Sequence, residues 1–172
     1  KVVFPLEVLP VAQIGAAIGR EFSCELIAAL SDLPDSALLA ALRQLSDNEI
    51  IFQRGTPPDA MYIFKHALVQ ETAYASLARS RRRQLHGRIA QTLEERFPEL
   101  VASEPEVIAF HLTQAELARP AIGYLRRAAD NYLGRSAYVE AVAHLAQATS
   151  LLRTMPQTPE TLEIELDICL KM

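Results

Sequence analysis

The chain has 172 residues, half of them hydrophobic, with a net charge of −4 and two cysteines. That is ample apolar material for a packed interior in one domain or two small ones, yet every apolar run breaks well short of the roughly 20 residues a membrane span needs. The charge balance offers no overall attraction to nucleic acid or anionic lipid. Cys24 and Cys169 stand far apart at no metal-ligand spacing and read as reduced thiols of a cytoplasmic protein, since no basic stretch precedes a cleavable apolar segment.

In chain order, residues 9–22 (LPVAQIGAAIGREF) place Val11, Ile14 and Ile18 on one helical face, with Gly19 as the stop signal. Ser23 is positioned to cap a second helix carrying Leu26, Ile27 and Leu30. Pro34 and Asp35 open a third, whose stripe is Leu38, Leu39, Leu42 and Leu45. The period then falls to two: residues 49–54 (EIIFQR) and 61–65 (MYIFK) flank the turn GTPPDA, a β-hairpin signal. From His66 the helical period returns, with Val69, Ala73 and Leu77 at i, i+4 and i+8 and Tyr74 beside them. Three helices, a β-hairpin and a following helix describe a winged-helix domain over residues 1–78. His66 sits where strand passes into helix, at a helix start whose free N–H groups and dipole favour an anion.

Residues 79–118 read as a helical linker. Leu85, Ile89 and Leu93 form one long stripe that Pro98 stops. Residues 103–106 (SEPE) have the form of a capping box ahead of Val107, Ile108, His111, Leu112 and Ala115. Residues 119–172 carry the spacing of a tetratricopeptide unit: Leu125, Ala128, Ala129 and Tyr132, a break at 134–136, then Tyr138, Ala141, Leu145 and Ala148. A last helix after Thr158 and Pro159 is apolar on two faces, through Leu162, Leu166 and Cys169 and through Ile164 and Ile168. A repeat apolar on both sides calls for another stacked on it. With a chain that opens on Lys1 rather than Met, this leads us to expect a segment of a longer polypeptide, continuing past Met172, whose isolated form is open to oligomerisation.

The run YIFKHALVQETAYASLARSRRRQLHGRIAQTLEE (62–95) resembles the junction in STAND-type signal-transduction ATPases. That class includes large bacterial regulators and multidomain class III adenylate cyclases, and its order is P-loop domain, small helical domain, winged helix, helical linker, superhelical repeats. The resemblance is specific over 62–93 and generic elsewhere. It implies a regulatory segment that packs on an upstream nucleotide-binding domain, with repeats that take a protein or small-ligand partner. ATP or ADP with magnesium would be held by the parent chain, an NTPase of a class that includes adenylate cyclases. In relatives a Met-His-Asp type motif contacts the β-phosphate of ADP through its histidine; the matching triplet is Lys65, His66, Ala67, so the histidine stands between two different neighbours.

Other features have plainer readings. His66 itself reads equally as a local cap or packing residue, and His86, His111 and His144 share no zinc spacing and read as packing or surface residues. Arg79, Arg81, Arg82, Arg83 and Arg88 read as a solvated helix face, with an acidic partner or the ATPase domain as the alternative. No P-loop, acidic strand end for magnesium or nucleophile–base spacing is present, so no catalytic residue is assigned. A DNA-binding winged-helix regulator with a repeat adaptor is the competing function. Against it, residues 34–49 offer only Arg43 and Gln44 as long donors beside Asp35, Asp47 and Glu49.

Overall fold

The computed structural model describes residues 4, 5 and 7–171; Lys1 and Met172, the two ends on which the expectation of a longer parent rests, lie outside them. The chain is mainly helical with one small antiparallel sheet and divides into two compact units, Lys1–Thr92 and Leu93–Met172. Residues 79–118, read from sequence as a linker, are shared between the two units.

The first unit contains α1 (Leu9–Ile18), β1 (Glu21–Ser23), α2 (Cys24–Leu30), α3 (Asp35–Asp47), β2 (Ile51–Arg54), β3 (Met61–Phe64), α4 (Ala67–Ala75) and most of α5 (Arg79–Arg96). The caps follow the sequence: Ser23 Oγ accepts from the Leu26 N–H at the start of α2, and Asp35 lies in the first turn of α3. The hairpin forms as expected, and Gly55 takes φ +79 in its turn, a left-handed position open to glycine.

The sheet has a third strand that the hairpin signal does not contain. β1 pairs with β3 on the side opposite β2, placing Phe22 against Tyr62, where the sequence pattern had run helix through Phe22. A three-residue strand is too short to show a period of two. The Phe64 N–H donates to the Arg20 carbonyl and the Cys24 N–H to the Ala60 carbonyl, closing both ends of the pairing. The face of α1 also differs from the expected stripe: Val11, Ala12, Gly15 and Ala16 are buried, and Ile14 and Ile18 only partly so. Phe22 is the reason, because its ring lies over Gly15 so closely that a Cβ there would stand 2.7 Å from Cε1 and Cζ.

Around this contact Phe22, Tyr62 and Phe64 bring ring centroids to 5.7 and 5.8 Å, and Leu38, Leu42, Leu45, Ile51 and Val69 complete the core. Burial, with the Cys24 thiol as a lesser influence, pushes the Tyr62 pKa up to about 12. Both cysteines are free, Cys24 buried and Cys169 exposed.

The second unit holds α6 (Pro98–Ser103), α7 (Pro105–Gln114), α8 (Ala118–Gly134), α9 (Tyr138–Leu152) and α10 (Pro159–Lys171). Each helix from α7 onward packs on the next. The contacts are made by small residues: Ala109, Ala129, Ala141 and Ala148 share a core with Ile122, Leu125 and Leu145, and the alanines let backbones approach closely. The short turns after α7 and α8 use left-handed Glu116 and Ser136, at φ 60 and 59.

The capping box expected at residues 103–106 does not form. Ser103 closes α6, with its hydroxyl donating to the Leu100 carbonyl, and α7 begins at Pro105 without a side-chain cap. Proline needs no N–H partner at a helix start, which removes part of the demand. A reciprocal cap appears instead at α10: the Thr161 N–H donates to Thr158 Oγ1, and the Thr158 N–H donates to Thr161 Oγ1.

Three ion pairs join α8 to α10, Arg119 to Glu160, Arg126 to Asp167 and Asp130 to Lys171, each spanning 41 residues. A constant offset means that the two helices run parallel and in register. That offset is longer than the roughly 34 residues of a tetratricopeptide unit.

Candidate functional site

The corner that carries His66 is fixed from both sides. The Lys65 N–H donates to the Ile50 carbonyl, holding the end of β3 beside the start of β2. On the other side α4 packs against α1, where Gln70 Nε2 donates to the Ala16 carbonyl and Gln13 Nε2 to Ser76 Oγ. His66 is the N-cap of α4, in extended conformation (φ −133, ψ 136), and its carbonyl accepts from the Val69 and Gln70 N–H groups.

Its imidazole forms no capping bond and is exposed, and no acidic residue lies in the first turn of α4. The end of that helix therefore presents N–H groups without intrahelical acceptors beside a ring nitrogen that can donate. Next to it Lys65 Nζ stands 3.1 Å from Glu49 Oε1 and 5.2 Å from the centroid of the Phe52 ring, which is 54% exposed. Chemically, this corner can accept an anion; it presents no nucleophile paired with a base.

The arginine cluster is not one uniform solvated face. Arg82 lies over the Tyr74 ring at 4.9 Å and donates to the carbonyls of Leu77 and Ala75. Arg88 donates to the Leu30 carbonyl at the end of α2 and pairs with Asp32 at 3.0 Å. Two of the five arginines thus satisfy carbonyls at or just past helix ends, where cations are favoured. For Arg88 the sequence pattern carries no sign of this, because its partners lie 56 to 58 residues away.

His86 and His111 are buried. His86 Nε2 lies 2.9 Å from the Tyr74 hydroxyl, and burial lowers its pKa to about 4, so the ring is neutral near pH 7. His144 stacks on Tyr132 at 5.3 Å. Among the described residues no three His, Cys, Asp or Glu side chains are grouped so as to hold a metal ion, and no helix is long and apolar enough to cross a membrane.

A cleft of about 170 Å³ opens elsewhere on the first unit, lined by Val11, Ile14, Leu33, Leu77 and Leu85 with Arg81 and the Arg88–Asp32 pair among its polar groups. His66 does not line it. No family model matches the chain, and no solved structure matches it. It is 30% identical over 159 residues to an uncharacterized protein of Rhizobium meliloti (strain 1021), an alignment that takes in 90% of this chain and 15% of that protein's length.

Proposed function

We propose that this chain is a regulatory and protein-interaction segment of a larger STAND-type signalling ATPase, a winged helix joined through a helical linker to the start of a tetratricopeptide-like array. The observation that carries the reading is the exposed imidazole of His66 at the N-cap of α4, where a phosphate of bound ADP can meet a ring N–H and free helix N–H groups together. The order of three helices, small sheet and following helix supports the winged-helix half. Small residues packed between α8 and α9 support the repeat half, and the 41-residue offset is filled by a 17-residue α8, a 15-residue α9 and short connections. A relative that is far longer than the aligned stretch is consistent with a multidomain parent.

The mechanism is a two-state lock. With ADP bound in the upstream domain, the winged helix stays docked through His66; exchange for ATP, or a ligand on the repeats, favours an open and assembly-competent form. Phosphate chemistry belongs to the upstream domain, whose magnesium and P-loop the parent supplies. In the full-length protein, His66→Ala is expected to speed ADP dissociation about tenfold, the loss of roughly 1.5 kcal/mol for a hydrogen bond to a charged group, and to raise basal activity. Stopped-flow release of a fluorescent ADP analogue measures it, and an unchanged rate removes the sensing role.

A further inference from the structure

The cleft on the first unit is walled from three directions. Val11 and Ile14 come from α1, Ser31 and Leu33 from the connection between α2 and α3, and Leu77 and Leu85 from the entry to α5 and its second turn. Val11, Leu77 and Leu85 are buried and form its floor, while Leu33, 42% exposed, stands at the rim. Arg81 lines the same cleft, and among the described residues it has neither an ion-pair partner nor a hydrogen bond. We propose that this cleft binds a small monocarboxylate with a compact apolar body, a single aromatic ring or a short branched chain.

Size and charge select that chemistry. An apolar cavity of about 150 Å³ accepts a benzene ring, so about 170 Å³ holds one such group and little more. The charge on offer is a single positive one. Arg88 also lines the cleft, but its two terminal nitrogens face the Asp32 carboxylate at 3.0 and 3.5 Å, and it donates to the Leu30 carbonyl. That pair contributes no net charge, which leaves Arg81 to meet the ligand. A guanidinium fork matches the two oxygens of a carboxylate. A dianionic phosphate would bring one charge too many beside Asp32. Ser31 adds a donor: its Oγ accepts from the Leu33 N–H at 3.1 Å, and its own O–H has no acceptor among the described residues. Gln13 is engaged elsewhere, its Nε2 donating to Ser76 Oγ.

A ligand seated there touches α5 and the end of α2, which the Arg88–Asp32 pair already joins, and α1 besides. Because it binds the closed cleft better than an open one, it holds α5 against the rest of the first unit. His66 does not line the cleft, and the proposal does not rest on the nucleotide reading.

The test is a titration of the chain with phenylacetate, followed by amide chemical shifts and hydrogen exchange. A dissociation constant on the order of 0.1–1 mM is expected for a ligand of about ten heavy atoms, with shifts centred on Val11, Ser31, Leu33 and Leu85 and slower exchange in α5. Phenylacetamide, the same shape without the charge, should bind about tenfold more weakly, the loss of one hydrogen bond to a charged group. Arg81→Met, at an exposed position, should weaken phenylacetate about tenfold and leave phenylacetamide binding and melting temperature unchanged. Leu33→Glu at the rim should also weaken phenylacetate alone, by repulsion. Equal affinity for the two probes, or for the parent and Arg81→Met, overturns the proposal, as do shifts centred on other residues. Shifts of the same amides that grow with chain concentration in the absence of probe overturn it in favour of a second copy. Tighter binding of an acetylated aspartyl-phenylalanine amide than of phenylacetate overturns it in favour of a protein partner.

Discussion

The first unit draws its core from distant parts of the sequence, whereas the second is assembled from helices that are neighbours in the chain. Phe22 meets Tyr62 across β1 and β3, and Val69 and Ala73 of α4 close the same cluster, so the aromatic centre exists only when residues some 40 apart have found one another. In the second unit each helix from α7 to α10 packs on the next, through alanines and leucines and, among the described residues, without a buried phenylalanine or tyrosine ring. A non-local core has to form all together; a local stack can grow one helix at a time and be left open at one side.

The sharpest way to break the comparison is to empty the non-local core. Phe22 is 2% exposed and touches Gly15, Tyr62 and Phe64. Phe22→Ala is expected to cost about 3–5 kcal/mol through lost burial and the cavity left behind, with β1, β2 and β3 losing amide protection together. Hydrogen exchange measures this, and selective loss in β1 alone would show that the first unit is less cooperative than its contacts imply. A smaller effect is expected from overpacking the local stack: Ala148→Leu, at a position 0% exposed between α8 and α9, should cost about 1–3 kcal/mol. The loss should appear first in the exchange of α8 and α9 amides.

The same contrast explains what was legible in the sequence. Helices whose apolar spacing and caps are local, such as α2 with Ser23 and α9 with Ala141, Leu145 and Ala148, could be read directly, and so could the hairpin with its Gly and Pro turn. β1 could not, because three residues define no period and its strand partner lies about 40 residues away. The buried face of α1 is rotated from its hydrophobic stripe for a related reason: Val11 is buried and Ile14 and Ile18 pack on the core only partly buried, while a close aromatic neighbour requires Gly15 and Ala16. Within the candidate site the His66 corner was visible as an abrupt change of period. The roles of Arg82 and Arg88 were not, since a carbonyl acceptor leaves no mark on the residue that supplies it.

His86 sharpens the comparison at lower cost, because it reports on the first unit without emptying its core. Its ring is buried against Tyr74, with the Arg82 guanidinium over the other ring of the pair, and its pKa is lowered to about 4 by burial. An unfolded histidine titrates near pH 6.5, so between about 6.5 and 4 the unfolded chain binds more protons than the folded one. Stability is therefore retained above the unfolded value and declines as pH falls through that window. At about 1.4 kcal/mol per pKa unit, reduced for partial solvent access, the loss is on the order of 1–2 kcal/mol. His86→Gln keeps a side chain able to bond the Tyr74 hydroxyl but carries no titrating group, so its stability should fall less steeply from pH 6.5 to 4 than that of the parent. Urea titrations at several pH values measure the two slopes; parallel slopes would mean that the ring gains water in the folded state and that the first unit is less tightly closed around α4 than its burial indicates.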